Sequence, residues 1–244
     1  MAPPAAPAWF GAVEDIPVRG KHLDALEPLD LAYIVFNRLS GVVFVYHLFL
    51  YVNGPGARGF PTKVEWDIEK MDVYNTALAL PALFVVYDLF YQAFHRALHH
   101  RSVYALVHKH HHRQKAPSRG SSDAVNVHPF EFLSGEYNHI LAVAIVPCHI
   151  VTVLAFIIIG GFLASLNHTR YNVQIPGAVY DVKWHDHHHV VPNTNYSQYT
   201  MVWDRIWGTF REHPDNVPAG KASSTESKGS TTTGSVYGKK TKAT

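Results

Sequence analysis

The run His95-Arg96-Ala97-Leu98-His99-His100-Arg101-Ser102-Val103-Tyr104-Ala105-Leu106-Val107-His108-Lys109-His110-His111-His112 holds seven of the chain's 18 histidines and follows directly on an apolar segment. A second cluster, Trp184-His185-Asp186-His187-His188-His189, repeats part of its spacing some seventy residues later. Imidazole is the commonest protein metal ligand, and a neutral ring binds a cation without adding charge. The two runs together predict a metal site closed against a membrane surface.

Helical positions four apart differ by about 40°, and positions three apart by about 60° in the other sense, so both share a face. His95 and His99 form one such pair. His108, His111 and His112 stand at i, i+3, i+4, and His185, His188 and His189 copy that spacing. Each triplet is expected to offer three nitrogens on one helical face, with His100, His110 and His187 pointing elsewhere. His168 and Asn172 make another i, i+4 pair. A lone His-x-x-His-His is as often a solvated basic surface as a site; two matched triplets with a flanking pair favour metal. Eight imidazoles exceed the four that a single zinc takes, so two ions are the economical inference.

The rest of the 244-residue chain narrows the class. A formal charge of +2 is too small to argue for nucleic acid. Apolar residues make up 47%, with 13 Tyr, 13 Phe and 5 Trp, concentrated in long runs between very polar His-rich segments. Cys148 is the single cysteine, which removes intrachain disulfides, thiolate zinc sites and iron–sulfur clusters. Residues 1–20 do not read as a cleaved signal peptide. Residues 1–28, interrupted by prolines, are expected to be a mobile lead-in, residues 29–213 a membrane domain with the metal site, and the Ser/Thr/Lys-rich residues 214–244 a disordered tail.

The apolar run Leu31–Val52 is long enough for the hydrocarbon core, although Arg38 inside it requires a tilt or a partner. A second span, Val73–Phe94, leads into the first His cluster. Arg96, Arg101, Lys109, Arg113, Lys115 and Arg119 follow it, so the positive-inside rule places that cluster and the N-terminus in the cytoplasm. Ile140–Leu166 as one straight helix would be about 40 Å long and would leave the two His clusters on opposite faces. A hairpin from Pro129, turning at Pro147, brings them together. The expected fold is therefore all-α and integral to the membrane: two transmembrane hairpins, about four helices, under a cytoplasmic His-rich helical cap.

The ordered elements Asp88-x-x-Tyr91-x-x-x-His95-Arg96-x-x-His99, His108-x-x-His111-His112, His128-Pro129-x-Glu131, His185-Asp186-x-His188-His189, Asn195-Tyr196, Trp203-Asp204 and Gly208-Thr209 resemble the fatty acid hydroxylase/sterol desaturase superfamily of membrane non-haem di-iron lipid oxidases. The resemblance covers about residues 88–210, and His-Pro-x-Glu leans toward the sterol-type branch. It implies iron ligation by His95, His99, His108, His111, His112, His185, His188 and His189, with His168 as a further ligand. His128 is either a ligand or a structural neighbour. Asn172 stands where some relatives carry histidine, which implies action through a bound water. Asp88, Asp186 and Asp204 are candidates to hold the second nitrogen of a ligand ring; on its own, Asp88 reads as a helix-end residue near the interface.

The implied cofactors are two iron ions, with zinc as an alternative occupant in preparations, and O2 as co-substrate. An aliphatic C–H is too weak an acid for any side-chain base, so oxidative hydrogen-atom removal suits a membrane lipid (a sterol, fatty acyl or sphingoid chain) entering sideways from the bilayer. Hydroxylation and desaturation begin with the same step. Tyr91, Tyr104, Tyr171 and Tyr180 read as interface anchors in preference to lining that entrance. Oxygen reduction needs two external electrons, and the resemblance implies a separate b-type cytochrome and its NADH-dependent reductase. Lys240 and Lys242 have the placement of a dilysine retrieval signal for the endoplasmic reticulum membrane; a Lys-rich tail without that role is the plain alternative. Rival readings are another oxidation at the same metals, such as aldehyde deformylation, and a metal transporter or metal-binding membrane protein. A transporter would bury its ligands near the bilayer midplane, whereas the apolar runs hold only His47 and His149.

Overall fold

The computed structural model describes residues 25–54, 63–175, 177 and 179–217. Most of the expected lead-in, the tail from residue 218 and the dilysine pair lie outside these. Residues 212–217 belong to a separate unit that contains a 3-10 turn, Pro214–Asn216.

Four helices form the stem: α1 (Pro28–Asn53), α2 (Ala79–Leu98), α4 (Pro129–Ile145) and α5 (Ile150–Leu166). Helix α1 begins at Pro28, with the Glu27 amide bonded to the Asp30 carboxylate at 2.7 Å, and stops at Asn53-Gly54. A π-helical turn, Tyr74–Leu78, runs into α2. The side chains of His128 and His149 accept the amides of Phe130 and Val151 and so start α4 and α5. Within the stem Phe44, Leu83, Phe156, Ala142 and Val143 are fully buried. Outward-facing Leu39, Val42, Val45 and Phe49 on α1, and Leu154, Ile158 and Phe162 on α5, stay exposed. Apolar surface on that scale belongs in lipid.

Both α1 and the continuous stretch Tyr74–Leu98 are long and apolar enough to cross a membrane. The hairpin turn falls at Pro147 as expected, but α4 and α5 have 17 residues each, about 25 Å of helix against a core of about 30 Å. Their turn nevertheless meets the loop that joins α1 to α2. There β1 (Val64–Glu65) pairs in parallel with β2 (Cys148–His149), Thr152 Oγ1 donates to the Asn75 carbonyl at 2.8 Å, and Trp66 Nε1 donates to the Val52 carbonyl at 3.0 Å.

The opposite ends of the four helices gather under the cap. Arg38 finds the partner it needs there, donating to Ser122 Oγ at 3.2 Å, and Asn37 donates to the carbonyls of Val125 and Val127 at 2.9 Å each. The first turns of α1 thus stand beside the cap. Short α3 (Ser121–Ala124), the antiparallel pair β3 (Gln174–Ile175) and β4 (Tyr180–Asp181), α6 (Val182–Val190) and α7 (Val202–Ile206) complete it.

Candidate metal centre

Nine imidazoles meet where the helix ends converge, in two groups. His95, His99, His108, His112 and His188 form one; His111, His168, His185 and His189 form the other. Within each group the ligand atoms lie within 4.8 Å of one another. The expected single face for each triplet does not occur. Helix α2 ends at Leu98 with His99 as its cap, residues 101–110 form turns, and His111–Arg113 is a 3-10 turn. His111 crosses to the second group while His108 and His112 stay in the first. On α6 the roles reverse: His188 crosses to the first group, and His185 and His189 stay in the second. Adjacent helical residues point about 100° apart, so neighbours such as His111 and His112 cannot aim at one ion. The i, i+4 pairs remain together.

Backbone carbonyls hold four of the nine rings. Nδ1 donates to the carbonyl of Tyr196 from His95 (2.7 Å), of Thr194 from His188 (2.6 Å), of Gln114 from His189 (2.9 Å) and of Ala164 from His168 (2.8 Å). His108 Nδ1 instead lies 2.8 Å from Glu131 Oε1. A neutral imidazole has one N–H, so a ring that donates through Nδ1 presents a lone pair at Nε2. His95 therefore turns its Nε2 lone pair toward His108 Nε2, 3.0 Å away. Other Nε2 pairs stand at 2.9 Å (His108–His112), 3.1 Å (His185–His189) and 3.3 Å (His111–His168). Two nitrogens about 2.1 Å from one ion stand about 3.0 Å apart at a right angle and about 3.4 Å apart at a tetrahedral one. The buried lone pairs and their spacing fit metal cations.

Burial keeps these rings neutral. It depresses the pKa of His99 to about 2 and of His108 to about 3, and it lowers His111, His112, His168, His185, His188 and His189 as well. Neutral rings are the form a metal binds.

Other candidates land elsewhere. Asp88, fully buried, accepts the amides of Gln198, Tyr199 and Thr200 and the Thr200 hydroxyl; it holds a loop, not a ring. Asp204 likewise accepts the amides of Tyr196 and Ser197 and the Thr209 hydroxyl. Between them, Asn195 turns the backbone at φ 52°, a left-handed conformation asparagine tolerates, so that the flanking carbonyls of Thr194 and Tyr196 serve His188 and His95. Asp186 pairs with Arg170. His128 caps α4, outside both groups. Asn172 is half-buried in the stretch before β3, and the four imidazoles of the second group converge without it. His110 bonds Asp30 and Asn126, and His100 is exposed beside Ser102.

A cavity of about 210 Å³ opens against the second group. His111, His168 and His185 line it, with Tyr91, Glu136 and His139 among the residues on its other walls. Sequence reading missed Glu136 and His139; their signal was the α4 stripe Glu131, Gly135, Glu136, His139 at helical spacing. His139 is also a third histidine inside the stem. The four tyrosines divide: Tyr91 lines the cavity, Tyr104 stacks on His99 with ring centroids 5.5 Å apart, Tyr180 is buried and donates to the Leu163 carbonyl at 2.9 Å, and Tyr171 is exposed.

The fatty acid hydroxylase family model matches residues 80–209, from the start of α2 to the end of the cap. The chain belongs to this family. Its relatives include human lathosterol oxidase, 36% identical over 132 residues, covering 51% of this chain and 42% of that protein. The Leptosphaeria maculans Delta(7)-sterol 5(6)-desaturase is 28% identical over 140 residues (57% and 39%), and rat methylsterol monooxygenase 1 is 28% identical over 156 residues (60% and 51%). The family member described here thus spans about half or less of the length of these relatives. No solved structure matches it significantly.

Proposed function

We propose that the protein is an O2-dependent oxidoreductase that hydroxylates or desaturates a membrane sterol or a related lipid at a pair of irons. The observation that carries this reading is the convergence of nine imidazoles, eight of them buried and His99 half-buried, in two groups, one facing a cavity in an apolar helical stem. His95, His99, His108, His112 and His188 would hold one iron, and His111, His168, His185 and His189 the other. The near-right-angle nitrogen spacing supports a higher coordination number than tetrahedral zinc, although such sites accept zinc in preparations. The irons supply oxidative removal of hydrogen from an unactivated carbon.

The chain's own residues do the rest. Carbonyls fix the tautomer and aim of His95, His168, His188 and His189, and Glu131 stands beside His108. Apolar walls exclude water, and the cavity admits one portion of a lipid to the second group. Gly161 is exposed and also lines this cavity, which supports a mouth on the outer side of α5 for a substrate arriving from the bilayer.

The sterol preference rests on the relatives' names. Two external electrons would come from a b-type cytochrome and its NADH-dependent reductase, drawn to the basic cap face around Arg96, Arg101 and Lys109. Location in the endoplasmic reticulum membrane, with both hairpins crossing and the cap in the cytoplasm, completes the proposal. The test is iron content and lipid turnover together: the purified protein should hold about two irons per chain and oxidise lathosterol when supplied with electrons and O2. His111→Ala should abolish turnover while leaving membrane insertion intact, and normal turnover in that variant would overturn the reading.

A further inference from the structure

One ionisable group on the cavity wall serves none of the histidines. Glu136 lies on the α4 stripe five residues beyond Glu131, about 7.5 Å further along the helix axis from the cap. Glu131 is already occupied by His108. The Glu136 carboxyl has no hydrogen-bond or ion-pair partner among the described residues; only its backbone carbonyl is engaged, by His139 Nδ1 at 3.0 Å. Tyr87, Tyr91 and Tyr199 stand on the facing walls, and Ile157, Gly161 and Ala164 of α5 close the apolar side. Glu136 is half-buried, and a carboxyl that faces an apolar cavity without a partner is placed to engage the polar group of a ligand.

We propose that Glu136 is the anchor for the hydroxyl group of the substrate, and so a specificity-determining residue of the cavity. This rests on the sterol-oxidase reading above. The wall chemistry selects the ligand class: aromatic and aliphatic surface around one unpartnered carboxyl, with the hydroxyls of Tyr87, Tyr91 and Tyr199 on the same walls, matches a largely apolar molecule that carries a hydroxyl. A sterol alcohol has that form. The carboxyl's carbonyl oxygen accepts the hydroxyl hydrogen in either protonation state, and Gln keeps that acceptor. With the hydroxyl held at Glu136 and the second histidine group closing the cap end of the same cavity, the anchor sets which carbon reaches the histidines.

Equilibrium binding to the full, iron-loaded chain in detergent tests this, with lathosterol and its hydroxyl-free counterpart cholest-7-ene as probes. Wild type should bind lathosterol about tenfold more tightly than cholest-7-ene, the scale of one hydrogen bond to a charged or partly desolvated acceptor. Glu136→Leu should bring lathosterol down to the cholest-7-ene level and leave cholest-7-ene within about twofold. Glu136→Gln should retain most of the preference, and both variants should keep the wild-type iron content. Equal loss of both ligands in Glu136→Leu, or an unchanged preference, overturns the anchor. Wild type that oxidises lathosterol but binds both probes equally overturns the anchor alone. Wild type that neither binds nor oxidises lathosterol overturns the sterol reading and the anchor with it.

Discussion

The two histidine groups use the same chemistry in different surroundings. The first has five rings, drawn from α2, the turns after it and α6, and it is walled in by Tyr104 and Tyr196. The second has four, and three of them line the cavity. A closed group with a surplus ligand is suited to hold its ion; an open group with fewer is suited to meet a substrate. The difference arises from a single residue step. His111 and His112 are neighbours in the chain, yet one turns to the cavity and the other to the enclosed group.

Loss of one ring should therefore cost more in the second group than in the first. His185→Ala leaves three nitrogens and is expected to lower lipid oxidation by ~1000-fold or more, with loss of about one iron per chain. His99→Ala leaves four nitrogens and should keep most of its iron; His99 is the half-buried member of its group. Iron quantification on the two variants side by side decides the matter, and greater iron loss in His99→Ala would reverse the comparison.

Filling the cavity mouth should separate substrate access from metal binding. A Cβ at Gly161 meets nothing within 4 Å, so Gly161→Trp has room to project across the opening. Turnover is expected to fall ~100-fold with iron content unchanged, provided that the substrate enters there. The enclosed group has its own weak point in Glu131. Glu131→Gln should reduce metal affinity of the first group about tenfold, the lower end of the effect of losing a ring's outer hydrogen bond. Metal competition with a chelator measures it, and equal loss from both groups would remove the distinction.

The smallest expected effect is on stability. Burial lowers the folded-state pKa of His99, His108, His111, His112, His168, His185, His188 and His189 below the unfolded value of about 6.5. As pH falls through 6.5 the unfolded chain takes up protons that the folded chain refuses, so stability present above that pH is lost below it. Metal-free protein should show a falling Tm between pH 7 and 5. A flat profile would mean that the rings charge in place.

Much of the layout was readable beforehand because it follows from local periodicity and length. The hairpin at Pro147 came from a run too long for one crossing, and α4 does start at Pro129. The i, i+4 pairs were also legible, since a 40° offset keeps two side chains on one face. Each triplet's division was not. It depends on where the other rings of each group arrive in space. The carboxylates were misjudged for a related reason. Asp88 and Asp204 are spent on the amides of residues 196–200, and four of the rings are held by carbonyls, which leave no mark in a sequence. Glu136 and His139 lie between Pro129 and Ile140, a stretch read only as the start of a hairpin.

Histidine spacing and apolar run length, both properties of neighbouring residues, by themselves determined that the chain is helical, membrane-type and rich in metal-ligand pairs. The tertiary structure alone decided which ring joins which group, which group faces the cavity, and that Glu136 looks into it. Those are relations between segments as far apart as residues 95 and 196, and they exist only once the four helix ends have met.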